Sequence, residues 1–374
     1  MKNFESGTYA NQGSFKSFIP VKIDRKWIIE GIEVIDLLSK ADRQLGRLDM
    51  YSEYIPNIDL FISMHVAKEA TKSSKIEGTK TSIEEVLQEK DQVAEEKRDD
   101  WDEVQNYIEA LNSAVGSLDN LPLSSRLIKQ THKVLLQGVR GKYKNPGQFR
   151  KSQNWIGGAT LSDAVFVPPP HQEVSNLMGD LEKFAHNTEH PFPDLLKIAL
   201  IHYQFETIHP FLDGNGRVGR LLITLYLVEK GILKRPVLYL SDFFERNREL
   251  YYDNLMRVRS QNDIEQWFKF FLVGVIETAK QSIETFDSIM KLQKEVDAKL
   301  QSLGSRTNNG RTVVNFLYQR PLINANKIAE ITSISLPSAY KLLRELERLG
   351  ILQETTGAKR GKQYWFLDYI DLFK

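Results

Sequence analysis

A histidine, an acidic residue, three glycines and two arginines lie within one run of twelve residues, 209–220, with the sequence HPFLDGNGRVGR. Glycines ahead of a helix allow backbone N–H groups to point into a concavity. The first turn of that helix adds its own N–H groups and the positive end of its dipole, and together these favour phosphate. The run therefore predicts an anion site built from Gly214, Asn215 and Gly216.

The charged side chains of this run suit a nucleotide. Arg217 and Arg220 are three residues apart, so we expect them on one helix face, where guanidinium groups could hold phosphate oxygens. Asp213 is a hard carboxylate that could hold Mg²⁺ shared with the phosphates. His209 could take the proton of an attacking hydroxyl. Each residue alone is typical of an ordinary loop, but the ordered set predicts nucleotidyl or phosphoryl transfer.

The elements around this run must be buried helices. The preceding segment, DLLKIALIHYQFETI, is apolar on nearly all sides, and so is the following LLITLYLVEKGI. Pro210 ends the first of them. No Lys-Ser/Thr pair follows the glycines and no strand precedes them, which excludes a P-loop and a dinucleotide-binding fingerprint. The run is therefore predicted to join two core helices and to open the second one.

A second informative stretch is SSKIEGT, residues 73–79. It follows a helical pattern over about 55–76, and Gly78 supplies a stop. Glu77 would then lie at the negative end of the helix dipole, where helix stability does not favour a carboxylate. Either a cation elsewhere pairs with Glu77 or the residue is simply exposed, and local physics leaves both open. Ser82 and Glu85 have the spacing of a capping box that starts the next helix.

The first run closely resembles the signature of the Fic domain, His-Pro-Phe-x-Asp/Glu-Gly-Asn-Gly/Lys-Arg-x-x-Arg. Every defined position is matched, by His209, Pro210, Phe211, Asp213, Gly214, Asn215, Gly216, Arg217 and Arg220. The segments PGQFR, WIGG and PPP upstream and SDFFERNRELYYDNL downstream are also similar to this family, so that the resemblance covers roughly residues 40–290. It implies transfer of AMP from ATP to a Ser, Thr or Tyr hydroxyl of a protein.

The resemblance also implies roles for single residues. His209 would be the base, and Asp213 would bind Mg²⁺. The groups that hold the nucleotide would be Gly214, Asn215, Gly216, Arg217, Val218, Gly219 and Arg220, with Tyr251 and Tyr252 near the adenine. Core packing is the alternative for either tyrosine. A flap that docks the target segment as an added strand would include Asp163, Ala164, Val165 and Phe166.

Residues 73–78 resemble the inhibitory helix pattern of the same family, Ser/Thr-x-x-x-Glu-Gly/Asn, through Ser73, Glu77 and Gly78. In such proteins the Glu pairs with the second arginine of the signature, here Arg220, and misplaces the triphosphate. The resemblance therefore implies autoinhibition of AMP transfer. In some relatives this Glu positions a water that removes AMP, so a hydrolase on the same site remains an alternative.

Composition limits the remaining classes of function. The chain has 374 residues, of which 41% are hydrophobic and 26% charged, and its formal net charge is +1. Because positive and negative charges nearly cancel, the protein has no overall electrostatic field that would attract nucleic acids or membranes. The chain lacks cysteine, which excludes disulfides and thiol chemistry. The first twenty residues lack the apolar core of a secretory signal, and no uncharged apolar run could cross a bilayer. We expect a cytoplasmic protein that does not enter membranes.

The predicted fold is mostly α, with a Fic-type helical core, a small β-hairpin flap and a C-terminal winged helix-turn-helix. The predicted domains are 1–110 with the inhibitory motif, 111–290 as the catalytic core, 291–310 as a linker and 311–374 as the winged helix. The third helix of the last domain carries Lys341, Arg344 and Arg348, and its wing carries Lys359, Arg360 and Lys362. Contact with DNA or with a protein through this domain is left open.

The sequence thus predicts a protein adenylyltransferase that uses ATP and Mg²⁺. Its partners would be a target protein with a hydroxyl side chain and the chain itself, through self-modification, while a homodimer is left open. One alternative is the AMP-removing hydrolase. The other is a DNA-binding regulator whose Fic core senses nucleotide without turnover, although sensing alone does not require the base His209.

Overall fold

The computed structural model describes residues 1–2, 4–55, 57–138, 143–355, 357 and 362–374. Within these ranges the chain is mostly helical, with fifteen α-helices: α1 Ile32–Tyr54, α2 Asp59–Ile76, α3 Ile83–Leu87, α4 Arg98–Ser117, α5 Ser125–Leu135, α6 His171–His186, α7 Asp194–Ile208, α8 Asn215–Glu229, α9 Ser241–Arg246, α10 Arg248–Gln261, α11 Ile264–Leu300, α12 Thr307–Gln319, α13 Ala325–Thr332, α14 Leu336–Arg348 and α15 Leu367–Ile370. Five short strands accompany them: β1 Gly7–Asn11, β2 Lys16–Pro20, β3 Leu322–Ile323, β4 Gln353–Glu354 and β5 Tyr364–Trp365.

Helices α7 and α8 form the centre of the core. Every residue of α7 from Leu195 to Ile208 is buried, and so is every residue of α8 from Arg217 to Leu227. The two helices pack against each other, and α6 and α11 pack against α7. Their uniformly apolar sequences require this position, because a helix without a polar face loses stability when it borders water.

Helix α11 extends across a change in composition. The segment is aromatic up to about residue 277 and polar beyond it, but the structure has one helix of 37 residues. Its buried positions, such as Trp267, Phe271 and Val275, continue as Ile283 and Ile289 on the same face. Helix α1 packs along it. No helix breaker separates the two halves, so the change in composition marks a change in burial only.

The N-terminal segment forms a hairpin. The sequence predicted extended polar chain over residues 1–25, whereas β1 and β2 pair antiparallel from Gly7 with Pro20 to Asn11 with Lys16. Phe18 is fully buried, and its N–H donates to the carbonyl of Val167 at 2.9 Å. The hairpin therefore packs on the segment 156–166, which we call the flap. The flap itself is held together by a single antiparallel bridge between Ile156 and Phe166.

Helix α2 ends as the sequence predicts. Glu77 is its C-terminal cap residue, and Gly78 follows with φ +107°, a conformation that favours glycine. The capping box is confirmed, because the Ser82 hydroxyl accepts from the N–H of Glu85 and the Glu85 carboxylate accepts from the N–H of Ser82. Helix α2 therefore stops directly in front of a rigidly defined turn.

The C-terminal region packs on the outer side of α2. Phe61 of α2 contacts Tyr318 of α12 edge to face, with 5.1 Å between ring centroids, and the Ser63 hydroxyl donates to the carbonyl of Gln319 at 3.1 Å. Strands β3, β5 and β4 form one antiparallel sheet in that order. Lys341, Arg344 and Arg348 are exposed on α14. The winged helix-turn-helix and the domain boundaries remain predictions, and Lys359 and Arg360 lie outside the described residues.

Across the described part of the chain, none of the helices combines the length and the hydrophobicity needed to cross a membrane.

Candidate nucleotide site between two buried helices

The loop 209–216 joins α7 to α8 through two residues in left-handed conformations. His209 has φ +50° and Gly214 has φ +75°. Glycine adopts this conformation freely, but a histidine does so only where the surrounding structure compensates. The N–H of His209 donates to the carbonyl of Phe205 at 2.9 Å and so closes α7. The contacts that keep His209 in this conformation therefore define the geometry of the site.

Arg150 provides most of these contacts. Its Nε donates to the carbonyl of His209 at 2.9 Å, and its Nη2 donates to the carbonyls of Pro169 and Ile208 at 2.5 and 3.3 Å. The backbone N–H of Arg150 donates to the carbonyl of Pro210 at 2.8 Å. The residue is 2% exposed, and burial lowers the pKa of its guanidinium to about 10. Its Nη1 donates to the carbonyl of Ser152 at 3.2 Å. This buried cation therefore joins the backbone around His209 to its own segment and to Pro169.

Two asparagines complete this support. The Asn154 amide donates to the carbonyls of His209 and Phe211 at 3.3 and 2.8 Å. The Asn215 side chain accepts from the N–H of Phe211 at 2.8 Å and donates to its carbonyl at 2.9 Å. Asn215 was predicted to hold phosphate, but both ends of its amide bind Phe211, so its side chain closes the loop instead.

His132 of α5 supports the other side of the loop, and sequence reasoning did not find it. Its ring stacks on Phe211 with 3.7 Å between centroids. Its Nδ1 accepts from the N–H of Gly147 at 2.8 Å, and its Nε2 lies 3.0 Å from the carbonyl of Asp213. Burial lowers the pKa of His132 to about 4, so the ring is neutral and Nε2 donates to that carbonyl.

The start of α8 forms an anion cradle, by which we mean the backbone N–H groups of residues 215–217. These groups lie in the first helical turn and therefore have no acceptor within the helix. The first bond of the helix runs from the N–H of Val218 to the carbonyl of Gly214. A Cβ atom on Gly216 would lie 2.2 Å from Oε1 of Glu77. The Glu77 carboxylate therefore lies directly against the cradle, in the space beside Gly216.

Glu77 also forms an ion pair with Arg220. Its Oε1 lies 2.6 Å from Nη2 of Arg220, whose Nε and Nη2 donate to the hydroxyl and the carbonyl of Ser73, both at 2.9 Å. The Arg220 side chain is 1% exposed and that of Glu77 is 34% exposed. Burial would raise the pKa of Glu77, but the charge and hydrogen bond of Arg220 outweigh it and hold the pKa below its usual range. The carboxylate is therefore ionised.

Helix α2 is anchored so that Glu77 reaches the cradle. Glu69, Ser73 and Glu77 are spaced by four residues and share one face. The buried Glu69 carboxylate accepts from the hydroxyl of Tyr107 at 2.9 Å and from the hydroxyl and N–H of Ser241 at 2.5 and 3.1 Å. These bonds join α2 to α4 and α9, and they fix the helix whose last turn carries Glu77.

The two arginines of the signature diverge. Arg217 Nη1 lies 3.2 Å from the Glu103 carboxylate of α4, and its Nη2 lies 3.7 Å from Oδ1 of Asp213. Arg220 instead points to α2. The sequence predicted that both guanidinium groups would lie on one helix face and hold phosphate oxygens. In the structure, acidic side chains from different helices pair with each of them. Only Arg220 contacts the anion that lies at the cradle.

Asp213 fits a metal that arrives together with phosphate. Its Oδ1 accepts from the N–H of Gly214 at 2.6 Å, and 45% of its side chain is exposed. In the described part of the chain no three His, Cys, Asp or Glu side chains are grouped to hold an ion. A single carboxylate beside an anion cradle suits Mg²⁺, which takes one or two carboxylates together with phosphate oxygens and water.

The surroundings of His209 keep its imidazole neutral. Burial lowers its pKa to about 3, and the positive charges of Arg259 and Arg150 lower it further, while Glu77 opposes them. Its Nδ1 has no hydrogen-bond partner among the described residues. The imidazole is therefore neutral at neutral pH and could take a proton from a hydroxyl.

Glu206, one turn before His209, is a second group that sequence reasoning missed. It is 7% exposed, and its Oε1 has no partner among the described residues. Burial raises its pKa to about 7, against the opposing charge of Arg220. A Cβ atom on Gly219 would lie 2.1 Å from this oxygen. Gly219 is therefore required for close packing of α7 on α8, and the fully packed Val218 likewise faces the core, so that neither presents a side chain to a nucleotide.

The two tyrosines differ in exposure. Tyr251 is 1% exposed, its hydroxyl lies 2.9 Å from Nε2 of His202, and its ring stacks on Phe244 with 4.5 Å between centroids. The structure therefore favours the alternative of core packing for Tyr251, and its contact with adenine stays a prediction. Tyr252 is 38% exposed, and its ring centroid lies 5.1 Å from that of Tyr251. It therefore remains the candidate for an adenine contact.

The four predicted flap residues also differ. The Asp163 carboxylate accepts from the N–H groups of Ala159 and Thr160 at 2.9 and 2.6 Å, and its pKa falls to about 2 because of bonds from Thr160 and Ala159. It closes a turn. Ala164 is partly buried, and Val165 is 65% exposed. Phe166 is 2% exposed and packs against Phe18. Of the apolar residues of this set, Val165 thus has the most exposed side chain.

Two family models match the chain. The model described as "Fic/DOC family N-terminal" matches residues 35–116, which include α2 and Glu77. The model described as "Fic/DOC family" matches residues 122–227, which include the loop 209–216 and the cradle. Together they cover about half of the chain and confirm the resemblance seen in the sequence.

Curated relatives match parts of the chain. A probable protein adenylyltransferase of Aquifex aeolicus is 31% identical over 194 residues, which are 52% of this chain and 55% of that relative. The protein adenylyltransferase Fic of Aedes aegypti is 34% identical over 125 residues, which are 33% of this chain and 22% of that relative. The match therefore spans about half the length of the first relative and about a fifth of the second.

Solved structures share the fold. A Fic family protein from Desulfovibrio desulfuricans G20 aligns with a TM-score of 0.57 and 20% identity over 91% of this chain and 98% of its own. Fic-1 from C. elegans aligns with a TM-score of 0.52 and 19% identity over 70% of this chain. These similarities confirm the predicted, mostly α, Fic-type architecture.

Proposed function

Because the chain belongs to the Fic/DOC family, we propose that it transfers AMP from ATP to the hydroxyl of a Ser, Thr or Tyr side chain of a protein. The hydroxyl oxygen attacks the α-phosphorus and forms a P–O bond, the bond from this phosphorus to the bridging oxygen breaks, and pyrophosphate leaves. The hydroxyl proton passes to the imidazole of His209. The curated relatives are named as protein adenylyltransferases, which supports this reaction.

The observation that carries the proposal is the position of the Glu77 carboxylate. An ionised carboxylate lies against Gly216 and pairs with Arg220, which indicates that the start of α8 accommodates an anion. In the proposed reaction the polyphosphate of ATP takes this place, with the N–H groups of the cradle and the guanidinium of Arg220 as donors. Arg217 lies close enough to Asp213 to share the same phosphates.

The remaining groups have supporting roles in this proposal. Asp213 would hold Mg²⁺, which neutralises phosphate charge when it is bound. Arg150, Asn154 and His132 keep the loop 209–216 in one conformation, so that His209 and the cradle need not reorganise during the reaction. Tyr252 would contact the adenine, and the flap would dock the target segment as an added strand.

Glu77 would inhibit this reaction in the state that the structure describes. The γ-phosphate of ATP and the Glu77 carboxylate would compete for Arg220 and for the space over Gly216. The ion pair must therefore open before the triphosphate adopts a productive position, and this requirement would keep basal transfer low. Replacement of Glu77 by glycine removes the competitor and leaves the rest of the cradle intact.

The test is incorporation of label from α-labelled ATP with Mg²⁺ into the protein itself, which is the one acceptor known to be present. We expect weak labelling of the wild type, at least about tenfold stronger labelling of Glu77→Gly, and a loss of about a hundredfold or more when His209→Ala is added. Equal labelling with and without the imidazole would contradict the proposed function. Equal labelling of the wild type and Glu77→Gly would contradict the inhibition alone.

A hydrolase that removes AMP from proteins is the second candidate. The observation in its favour is that Glu77 is ionised and one third exposed beside the cradle, so it could orient a water. Protein that has been labelled and freed of ATP separates the two activities. Loss of label that requires Glu77 would favour the hydrolase, and label that persists equally in the wild type and in Glu77→Gly would exclude it.

A further inference from the structure

Arg259 of α10 is a buried arginine that reaches the end of α7. It is 7% exposed. Its Nε donates to the hydroxyl of Thr207 and its Nη2 to the carbonyl of Glu206, both at 3.2 Å. These two acceptors lie two and three residues before His209. Arg259 thus contacts the last turn of the helix that presents the imidazole.

The planar face of the same guanidinium lies over an aromatic ring of the flap. Its carbon lies 3.9 Å from the centroid of the Phe166 ring, a close cation–π contact. Phe18 of β2 contacts Phe166 as well, with 5.9 Å between ring centroids. The N–H of Phe18 donates to the carbonyl of Val167, the next flanking residue. Phe166 therefore packs between the N-terminal hairpin and Arg259.

The fold alone does not explain a cation at this position. Among the described residues no carboxylate lies within ion-pair distance of Arg259, and burial lowers the pKa of its guanidinium. Burial of an uncompensated charge is unfavourable, and an apolar side chain of similar length would fill the same space. A planar group with several donors, however, can bind a helix end through its edge and an aromatic ring through its face at the same time.

We propose that Arg259 is a positioning residue that fixes the flap relative to His209, so that a target hydroxyl registered by the flap meets the imidazole. This inference rests on the proposed transfer of AMP. Loss of this contact would leave nucleotide binding unchanged and would misalign the incoming hydroxyl. Removal of the arginine would also remove one of the charges that lower the pKa of His209, and this change affects transfer and hydrolysis alike. The residue contacts neither the cradle nor the proposed metal ligand Asp213.

This role predicts a difference between two acceptors. A protein hydroxyl must be aligned by the flap, whereas water reaches the α-phosphate without it. Misplacement of a reacting group by about 1 Å lowers a rate by up to about a hundredfold. Removal of Arg259 should therefore lower AMP transfer to protein far more than it lowers hydrolysis of ATP to free AMP, and the KM for ATP should stay constant.

The experiment uses the full chain with Glu77→Gly as the parent, so that basal activity is measurable. Self-modification and release of free AMP are measured at saturating Mg²⁺ and a range of ATP concentrations for Arg259→Met, Arg259→Lys and Phe166→Leu. The control is Arg257→Met on the same helix, whose side chain is half exposed and pairs with Asp263 at 2.7 Å. Thermal unfolding of each variant reports whether it is folded.

We expect self-modification to fall about tenfold or more in Arg259→Met, with a smaller fall in AMP release and an unchanged KM for ATP. Arg259→Lys should recover part of the loss, because lysine keeps the charge over the ring but offers a different donor geometry. Phe166→Leu should reproduce the selective loss from the flap side, and it decides the question if Arg259→Met does not fold. Arg257→Met should match the parent.

Equal losses of self-modification and AMP release, or no loss in folded Arg259→Met and Phe166→Leu, would overturn this inference while leaving the proposed function intact. A parent that incorporates no AMP at all would overturn the proposed function and this inference together. The two failures are therefore distinguishable within one set of measurements.

Discussion

The loop 209–216 and the flap 156–166 lie on two sides of the same site, but they are held in very different ways. The backbone of the loop receives bonds from buried side chains of two separate segments, through Arg150 and Asn154 of one and His132 of the other, and Asn215 adds two more from within. Helices α7 and α8 on either side are almost completely buried. The carbonyls of residues 209, 211 and 213 are therefore each held by a side chain from outside the loop.

The flap has fewer constraints. One bridge between Ile156 and Phe166 joins its two sides, and Asp163 closes its exposed turn. Its anchoring to the protein is concentrated at Phe166, while the neighbouring Val165 is mostly exposed. This segment can therefore adjust to a partner with little loss of internal structure.

The two regions differ in how precisely the proposed reaction requires them to be positioned. In the proposed reaction the same phosphates and the same proton transfer recur with every target, so a rigid loop is an advantage. Targets differ in sequence and shape, so an adaptable docking segment is an advantage too. Substitutions and pH changes in the two regions test this contrast.

Arg150→Met tests the loop most severely. Methionine keeps the apolar stem but leaves the buried carbonyls of His209 and its neighbours without their donor, which should cost roughly 3 kcal/mol or more in the free energy of unfolding. AMP transfer should fall at least about a hundredfold, because His209 loses its conformation. Urea unfolding and ATP labelling in the Glu77→Gly parent measure the two effects.

The matched control for Arg150 is Arg126→Met, which removes an exposed arginine from α5. It should leave both quantities within experimental error. An Arg150 variant that keeps full activity would show that the loop does not depend on its buried support, and the contrast with the flap would then be lost.

Glu206→Gln tests whether the side chains around the loop are shielded from water, as the burial of Glu206 indicates. Burial raises the pKa of Glu206 from its ordinary 4.5 to about 7. Between these pH values the folded protein keeps a proton that the unfolded chain has lost, so this residue makes stability fall as pH rises through that window. Glutamine cannot titrate, and the substitution should remove about 3 kcal/mol of pH-dependent loss.

The measurement for Glu206 is urea unfolding of the wild type and the variant at pH 5 and pH 8. Other carboxyl groups contribute equally to both proteins, so the difference between the two pH dependences isolates this residue. The variant should gain stability relative to the wild type at pH 8 and gain little at pH 5. Parallel pH dependences would contradict the buried, protonated state.

The pH dependence of transfer tests the state of His209. Its pKa lies at about 3, chiefly because of burial, so the imidazole should remain neutral far below pH 6. An exposed histidine would lose about tenfold of its neutral form on going to pH 5.5. We therefore expect kcat of the Glu77→Gly parent at saturating Mg²⁺ and ATP to fall less than about twofold between pH 7.5 and 5.5. A tenfold fall would indicate that the His209 imidazole is exposed to water, and it would contradict the buried, neutral state.

Asp163→Asn tests the flap and should have the smallest effect of the substitutions. It keeps one oxygen for the N–H groups of residues 159 and 160 but removes the carboxylate whose pKa the bonds from Thr160 and Ala159 lower to about 2. The turn is exposed, so the loss of stability should be small. Self-modification should change less than about threefold, with Asp119→Asn as an exposed control. A loss as large as that of Arg150→Met would contradict an adaptable flap.

The sequence predicted those parts of the site that depend on local geometry. A buried helix, a break at Pro210, glycines and a second buried helix are enough to predict a loop with free N–H groups at its end, and the structure has these elements in that order. The capping box of α3 was found for the same reason. Each depends on residues within one or two turns of each other.

The remaining parts depend on contacts between residues distant in sequence. Arg150 and His132 lie about 60 and 80 residues from the backbone groups that they bind, and no local pattern distinguishes a buried arginine from an exposed one. The roles of Asn215 and Tyr251 were implied by the resemblance, but in the structure the Asn215 side chain binds the backbone of Phe211 and the Tyr251 hydroxyl lies against the buried His202. The N-terminal hairpin was missed because the flap that it contacts is distant in sequence.

The placement of Glu77 over Gly216 has a thermodynamic consequence. In the proposed function this carboxylate is a competitor that is part of the same chain, so its local concentration does not depend on how much protein or nucleotide is present, and tethered groups of this kind reach effective concentrations on the order of millimolar. Additional ATP would have to outcompete a ligand that cannot diffuse away. A partner that moves the end of α2 by a few ångströms would therefore relieve this inhibition more than a large rise in the concentration of ATP.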